Sequence, residues 1–371
     1  MRKTNLNICL IEPFFSGSHK KWANEYQNHS SHNIEIISLK GVYWKWRMHG
    51  GAITLAEKFS KKYSKEEYPD LILTTDMLNL PLFHSFINKK IPTVTFFHEN
   101  QLTYPWSSKD RDKIKKRDHH YGFINYSTAL KSDKILFNSK FHLDSFIDAL
   151  KIFLKQFPDH RGLSNIDIIK NKSIVSYLGL DLKRFDKYKE LSKNKIPIIL
   201  WNHRWEYDKN PNVFFHTLKI LKESNIKFNL VILGEQFATE MDEFKNAKNY
   251  FIDEIIHVGY CDSFKDYAKW LWKCDILPVT SNQDFFGLSI MEAIYCNCTP
   301  LLPNRLAYPE LFKNNTDIFY DSNNELMIKL KELIRLFPRL ENFQDIAKNY
   351  DWSYISKNYD SYLLNTIYKN I

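Results

Sequence analysis

Two doubly wound, Rossmann-like α/β domains that face one another are the fold this sequence predicts, on three observations. Short β-rich runs alternate with helix-like stretches along the chain, which is the pattern of βαβ units. The runs lack clean two-residue alternation, as expected of parallel strands buried on both faces. The length of 371 residues is too great for one ordinary α/β domain and suits two.

The first series of strands is expected at Asn7–Phe14, Ile34–Leu39, Asp70–Thr75, Pro92–His98, Lys134–Asn138 and Ser173–Leu178. Helices between them are expected at His19–Asn28, Met77–Ile87 and Phe141–Phe153. A second series gives strands at Ile196–Trp201, Phe228–Leu233, Ile255–Val258, Asp275–Val279, Thr299–Leu302 and Ile318–Tyr320, with helices at Asn212–Glu223, Phe264–Trp272, Leu288–Tyr295 and Glu325–Arg335. Between the series runs DLKRFDKYKELSKNK, charged and without apolar rhythm. The expected division is therefore 1–188 and 189–350, with a C-terminal helix over 351–371 packing back on the first domain. Ligands of such sheets bind at the carboxyl ends of the strands, so facing domains would place a cleft there.

Composition excludes several classes. An apolar fraction of 44% with 15% aromatics can fill real cores, against wholesale disorder. The opening MRKTNLNICLIEPFF has a basic tip, but Glu12 and Pro13 cut its apolar run short, so no signal peptide is expected. No apolar segment approaches a membrane span, and no integral membrane association is expected. The five cysteines, Cys9, Cys261, Cys274, Cys296 and Cys298, form neither CxxC pairs nor a disulfide framework. They read as reduced, mostly buried thiols of a cytoplasmic protein. The net charge of +9 fits a polyanionic partner, although lysine is abundant here together with Asn, Ile, Phe and Tyr, the mark of AT-biased coding.

Only 10 glycines occur, and they concentrate at turns. Gly17, Gly179, Gly234 and Gly259 follow expected strands, Gly50 and Gly51 stand together in MHGGA, and Gly287 opens an expected helix. The segment Asp284–Glu292, DFFGLSIME, holds two carboxylates flanking Phe286, Gly287 and a helix start. The amides of Leu288 and Ser289 are open donors suited to a phosphate. Glu292 can present two oxygens to a ribose diol, and Asp284 can meet a sugar. The alternative is an ordinary capped helix, with Asp284 near the N-cap and Glu292 exposed. The segment WNHRWEYDKNP follows the first strand of the second series. There Arg204 offers a planar fork and Lys209 a compact cation, together suited to a departing diphosphate.

These two segments resemble the retaining GT-B glycosyltransferases of family 4, with Arg204, Lys209, Phe286, Gly287, Leu288 and Glu292 matching and Asp284 standing where that family has Glu. Further strings, PFFSGSHKKW, MHGGAITLAE, FFHENQLTYP, DHHYGFINYSTALKSDKILFNS and YCNCTPLLPNRLAYPEL, look like the tRNA-queuosine α-mannosyltransferase group. The resemblance runs from Glu12 to about Leu311. It implies GDP-mannose as donor, queuosine in a tRNA anticodon (that of tRNA-Asp) as acceptor, and no metal or other cofactor. His98 matches the family histidine that faces the donor sugar.

On this reading the catalytic residues are His98, Arg204, Lys209 and Asp284. The donor is held by Gly17, Arg204, Lys209, Gly234, Gly259, Phe286, Gly287, Leu288, Ser289 and Glu292. The acceptor candidates are Ser18, His19, His49, Gly50, Glu99, Asn100, His119 and His120. Lys109–Arg117, reading KDRDKIKKR, is basic, and Trp44, Trp46, Arg47 and Trp106 fall in neighbouring loop-like segments. Cations for phosphates and rings for an unstacked base are what an anticodon loop requires; a solvated helix with buried aromatics is the alternative. Asp110-Arg111-Asp112 sits in that basic run, a poor metal site. Two other functions stay open: a family 4 enzyme acting on a lipid or polysaccharide precursor, and a catalytically silent GT-B protein that binds RNA.

Overall fold

A computed structural model describes residues 4–64, 67–106, 120–190, 194–235, 241–313 and 315–368. It divides into two compact units, Met1–Leu180 with Trp352–Ile371, and Asp181–Asp351. The first division precedes the expected one at 188/189. The reason is the 3-10 turn Lys183–Tyr188 in the charged segment read as a connector: Phe185 is buried and its carbonyl accepts from Trp272 Nε1 at 2.9 Å, within the second unit.

In the first unit the elements run β1 (Asn7–Phe15), α1 (Gly17–His29), β2 (Asn33–Lys40), α2 (Trp44–Tyr63), β3 (Leu71–Thr75), α3 (Leu80–Ser85), β4 (Thr93–Phe97), α4 (His120–Lys131), β5 (Lys134–Phe137), α5 (Lys140–Leu154), α6 (Asn165–Asn171) and β6 (Ser173–Val175). Among the described residues the strands form one six-stranded parallel sheet in the order β2-β1-β3-β4-β5-β6. The runs Leu71–Thr75 and Thr93–Phe97 are buried at every position. This explains their lack of alternation, because helices cover both faces of the sheet.

Trp44, Trp46 and Arg47 are expected in loops and Gly50 at a turn. They lie on the 20-residue helix α2 instead. Two adjacent glycines and an aromatic-rich start hid it, since both lower helix propensity. Space, not a turn, is what Gly50 provides: a Cβ there would stand 2.9 Å from the Trp46 ring.

The C-terminal helix, Trp352–Tyr368, belongs to this unit. Trp352 Nε1 donates to Glu25 Oε2 at 2.8 Å, and Asp360 accepts from Tyr26 Oη at 2.8 Å and from the Ser31 amide at 2.8 Å.

The second unit runs β7 (Ile198–Asn202), α7 (Pro211–Glu223), β8 (Asn229–Leu233), α8 (Asp242–Tyr250), β9 (Ile255–Gly259), α9 (Phe264–Lys273), β10 (Ile276–Pro278), α10 (Leu288–Tyr295), β11 (Thr299–Pro303), α11 (Tyr308–Leu311), β12 (Phe319–Tyr320), α12 (Asn323–Leu336) and α13 (Gln344–Lys348). Its sheet is parallel in the order β12-β11-β10-β7-β8-β9. The core is strongly aromatic: Trp201, Trp205, Phe214, Phe215, Phe244 and Phe251 pack against Leu230 and Ile232. Each fully buried ring contributes about 1.5–3 kcal/mol.

Strand order locates the ligand-binding ends. It reverses between β7 and β10 in the second unit and between β1 and β3 in the first. At such a reversal the loops diverge and leave a crevice beyond the carboxyl ends.

Gly234 supports one of these loops. Its φ is +130, and a Cβ would lie 1.9 Å from the His203 carbonyl oxygen. Gly234→Ala is therefore expected to cost about 1–3 kcal/mol or more and to displace the loop after β7. A wild-type melting temperature in that variant would contradict the assignment.

Among the described residues no helix is long and apolar enough to cross a membrane.

Candidate functional site

In the second unit the loops after β7 and β10 flank the switch point, and they carry the two segments singled out in the sequence. Lys209 is nearly buried. Its Nζ donates to the Gln283 carbonyl at 2.7 Å and lies 3.1 Å from Asp208 Oδ2 and 3.6 Å from Asp284 Oδ2. Asp284 also accepts from Tyr308 Oη at 3.2 Å and, weakly, from the Phe286 amide at 3.4 Å. Arg204 is more open, with its side chain 47% exposed and Nη2 3.2 Å from Glu206 Oε2. Burial pushes the Glu206 pKa up and the Arg204 guanidinium opposes it. His203 is buried and its pKa falls to about 3, through burial first and the Lys209 charge second, so it stays neutral.

The capped-helix alternative does not hold. Gly287, at φ +86, occupies the N-cap of α10 without a side-chain cap, and Asp284 bonds elsewhere. A left-handed residue at that place leaves the first amides of the helix, those of Leu288 and Ser289, aimed outward with no partner among the described residues. Such amides, with the helix dipole, favour an anion. Glu292 is 3% exposed, not a surface residue. Tyr267 Oη donates to its Oε2 at 2.8 Å, and Arg184 Nη2 lies 3.7 Å from Oε1. Asn202 Nδ2 donates to Tyr267 Oη at 3.0 Å and to the Ser289 carbonyl at 2.8 Å, tying β7 to α10. Phe286 is buried, edge-on to Tyr350. Gly234 and Gly259 both end strands at positive φ.

In the first unit the carboxyl ends of β1, β3 and β4 and the start of α1 bring together Glu12, Asp76, His98 and His19. Glu12, fully buried, accepts from the Phe14 amide at 2.8 Å and sits 3.2 Å from His19 Nδ1. The His19 and His98 rings lie 4.2 Å apart. Asp76 Oδ1 accepts from the His98 amide at 2.8 Å, which fixes the end of β4. His98 Nε2 and Asp76 Oδ2 are buried without hydrogen-bond partners among the described residues. Burial, then the neighbouring His19, holds the His98 pKa well below the ordinary value, so its ring is neutral. Burial lowers the His19 pKa, but Glu12, with Asp76 and Glu99 behind it, outweighs that and raises it to about 9. Burial lifts Asp76 to about 8 against the pull of His19.

Glu12, His19 and His98 offer ligand atoms all within 4.8 Å of one another, the donor set of a small cation site. The Glu12–His19 hydrogen bond satisfies two of them and leaves His98 Nε2 as the open group.

Both folded-state pKa values lie above the unfolded ones, so the folded chain keeps these protons longer and stability falls as pH rises. For His19 the contribution is complete below pH 6.5 and is lost by about pH 9, on the order of 3 kcal/mol. For Asp76 the loss runs from about pH 4 to about pH 8. His19→Gln should make the decline of the melting temperature between pH 6.5 and 9 shallower; an unchanged slope would contradict this.

The remaining candidates are scattered. Gly17, at φ +50, and Ser18 are exposed at the start of α1. Glu99 is half-buried and accepts from Gln101 Nε2 at 2.9 Å. Asn100 is fully buried, and its Oδ1 closes a turn by accepting from the Leu102 and Thr103 amides, so the structure gives that oxygen a local backbone role. His49 and His120 approach each other at 2.6 Å between their Nε2 atoms, beside Tyr121. Gly50 sits in α2. His119, Lys109–Arg117 and the Asp110/Asp112 pair lie outside the described residues. Asp76, Asp208, Tyr267, Tyr308 and Arg184 were missed. Arg184 stood in the charged segment taken for a connector, Asp208 and Tyr308 fall inside quoted strings without having been singled out, and Asp76 and Tyr267 have no local sequence pattern.

Solved structures resemble this one over its whole length. Sucrose-phosphate synthase from Thermosynechococcus elongatus gives a TM-score of 0.70 at 13% identity, covering 96% of this chain and 97% of that one. A glycosyltransferase from Rickettsia africae gives 0.66 at 19% identity, covering 100% of both. The two parallel six-stranded sheets are those of the GT-B fold.

Sequence comparison is more specific. Residues 7–180 match the family described as tRNA-queuosine alpha-mannosyltransferase N-terminal, and residues 183–350 match glycosyl transferases group 1. The tRNA-queuosine alpha-mannosyltransferase of Drosophila melanogaster is 32% identical over 347 residues, covering 90% of this chain and 88% of that protein. The chain belongs to the tRNA-queuosine alpha-mannosyltransferase family.

Proposed function

We propose that this enzyme transfers mannose from GDP-mannose to queuosine in the anticodon loop of tRNA-Asp, with retention of configuration and without a metal ion. The observation that carries the donor half is the convergence of Lys209, Asp284 and the open amides of α10 at one switch point. The mannosyl group and the queuosine acceptor rest on the identity with the Drosophila relative.

In this reading the diphosphate lies against Arg204, Lys209 and the amides of Leu288 and Ser289, and Glu292 takes the ribose hydroxyls. Gly234 and Gly259 let backbone approach the nucleotide, and Gly17 lets it approach the phosphates. Asp284 meets the transferred sugar. In the first unit His98, neutral and with Nε2 open, hydrogen-bonds the sugar hydroxyls. His19, Ser18, Glu99 and the histidines of α2 and α4 are the acceptor candidates. Bond making and breaking take place on one face of the sugar. As the anomeric carbon–phosphate oxygen bond breaks, the acceptor oxygen bonds to that carbon, and its proton passes to the departing diphosphate. The charge that develops on the diphosphate is met by fixed cations, which lowers the barrier.

GDP release from GDP-mannose, followed with tRNA containing or lacking queuosine and in the presence of EDTA, tests the reading. Release that depends on queuosine and resists EDTA is expected. Slow release indifferent to tRNA would reject the acceptor, and no release at all would point to a silent RNA-binding protein.

A further inference from the structure

A second concave surface in the first unit lies on the β1/β2 side of the sheet. A pocket of about 500 Å³ is lined by Phe15, Lys20, Ser38, Leu39, Lys40, Arg47 and Lys58. Four of the seven lining residues are cations and none is acidic. Among the described residues no carboxylate pairs with any of the four. Arg47 Nε donates to the Lys40 carbonyl at 2.9 Å, and Lys58 Nζ to the Ser38 carbonyl at 3.0 Å. These bonds tether Arg47 and Lys58 and leave the Arg47 Nη groups and the Lys40 ammonium without a partner among the described residues. Four like charges gathered without a counter-charge repel one another, and a polyanion relieves this.

The surroundings narrow the kind of anion. Phe15 and Lys40 end β1 and β2, so the pocket opens at the ligand-bearing end of the sheet, on the β1/β2 side. Lys20 is one residue beyond His19 on α1. Between Lys40 and Arg47 the chain carries Tyr43, 80% exposed, and Trp46, 64% exposed. Tyr43 adopts φ +54, a left-handed conformation that a residue with a Cβ rarely takes. Rings held in water beside a row of cations make the surface of a single-stranded nucleic acid site, in which bases stack and phosphates are paired. A lipid-docking element would instead present a broad aliphatic face.

We propose that the pocket lined by Lys20, Lys40, Arg47 and Lys58 seats backbone phosphates of the RNA acceptor, with Tyr43 and Trp46 stacking an unpaired base beside it. This inference rests on the RNA acceptor proposed above.

The test compares full-length wild type with the Lys40→Glu/Arg47→Glu and Tyr43→Ala/Trp46→Ala pairs. Binding of tRNA is measured over a range of salt concentrations, with anionic phospholipid vesicles as a parallel arm and melting temperature as the fold control. The charge pair should weaken tRNA binding roughly 10- to 100-fold at low salt and make the log–log salt slope shallower by about 2. The aromatic pair should weaken binding without changing that slope. The charge-retaining Lys40→Arg/Arg47→Lys variant should bind as wild type, which separates charge from packing. Wild-type tRNA affinity in the charge pair overturns the pocket and leaves the RNA reading standing. Loss of vesicle binding with tRNA binding intact also overturns it, in favour of a lipid surface. A wild-type protein that does not bind tRNA rejects the RNA reading and the pocket together.

Discussion

Arg204→Ala is expected to lower the rate of transfer by roughly 10²–10³-fold, the range seen when one preorganised donor is removed from a developing negative charge. The physical reason lies in its setting. Arg204 stands in the loop after β7, with its side chain 47% exposed and Glu206 at 3.2 Å. An exposed ion pair adds little to stability, so the variant should melt near wild type. In the proposed role the guanidinium contributes most when the diphosphate departs, because two parallel N–H groups would fit its oxygens as the charge grows. The loss should therefore appear in kcat more than in KM. Arg204→Lys should recover part of it, since an ammonium supplies charge without the fork. Steady-state kinetics of Arg204→Ala with a wild-type kcat would reject the role.

Lys209→Ala should damage both activity and stability, unlike Arg204→Ala. The ammonium is buried among Asp208 at 3.1 Å, Asp284 at 3.6 Å and the Gln283 carbonyl at 2.7 Å. Removing it leaves buried carboxylates without their cation, at a cost of about 3–5 kcal/mol. Water and protonation can offset part of that. The neutral His203 ring, whose pKa burial and then Lys209 hold near 3, should become easier to protonate. Paired thermal melts and transfer assays check this: the variant should melt clearly below wild type and transfer no sugar. A stable, inactive Lys209→Ala would confine the residue to catalysis, and a stable, active one would remove it from the site.

The strands were legible because burial on both faces writes them as β-branched runs; Thr93–Phe97 and Ile198–Asn202 are buried throughout. The helix α10 was legible end to end, since its glycine and apolar run mark both its start and its face. The helix α2 was not, because Gly50 and Gly51 signal a turn unless one knows that the Trp46 ring lies over Gly50. The candidate donor residues could be singled out because they cluster in two short segments. Tyr267 could not, since its contacts with Asn202 and Glu292 join residues 65 and 25 positions apart. Asp76 carries no motif either; its role follows only from β3 and β4 lying side by side, which brings the His98 amide to 2.8 Å.

Mass spectrometry of nucleosides from queuosine-containing tRNA, incubated with this enzyme and separately with GDP-mannose, GDP-glucose, UDP-glucose and UDP-galactose, reads out the bond that the enzyme makes. A single new nucleoside is expected, queuosine carrying one hexose, formed with GDP-mannose and formed roughly 10²–10³-fold more slowly by the Arg204→Ala enzyme. Unchanged queuosine under every donor, or a hexose transferred equally well by Arg204→Ala, would contradict it.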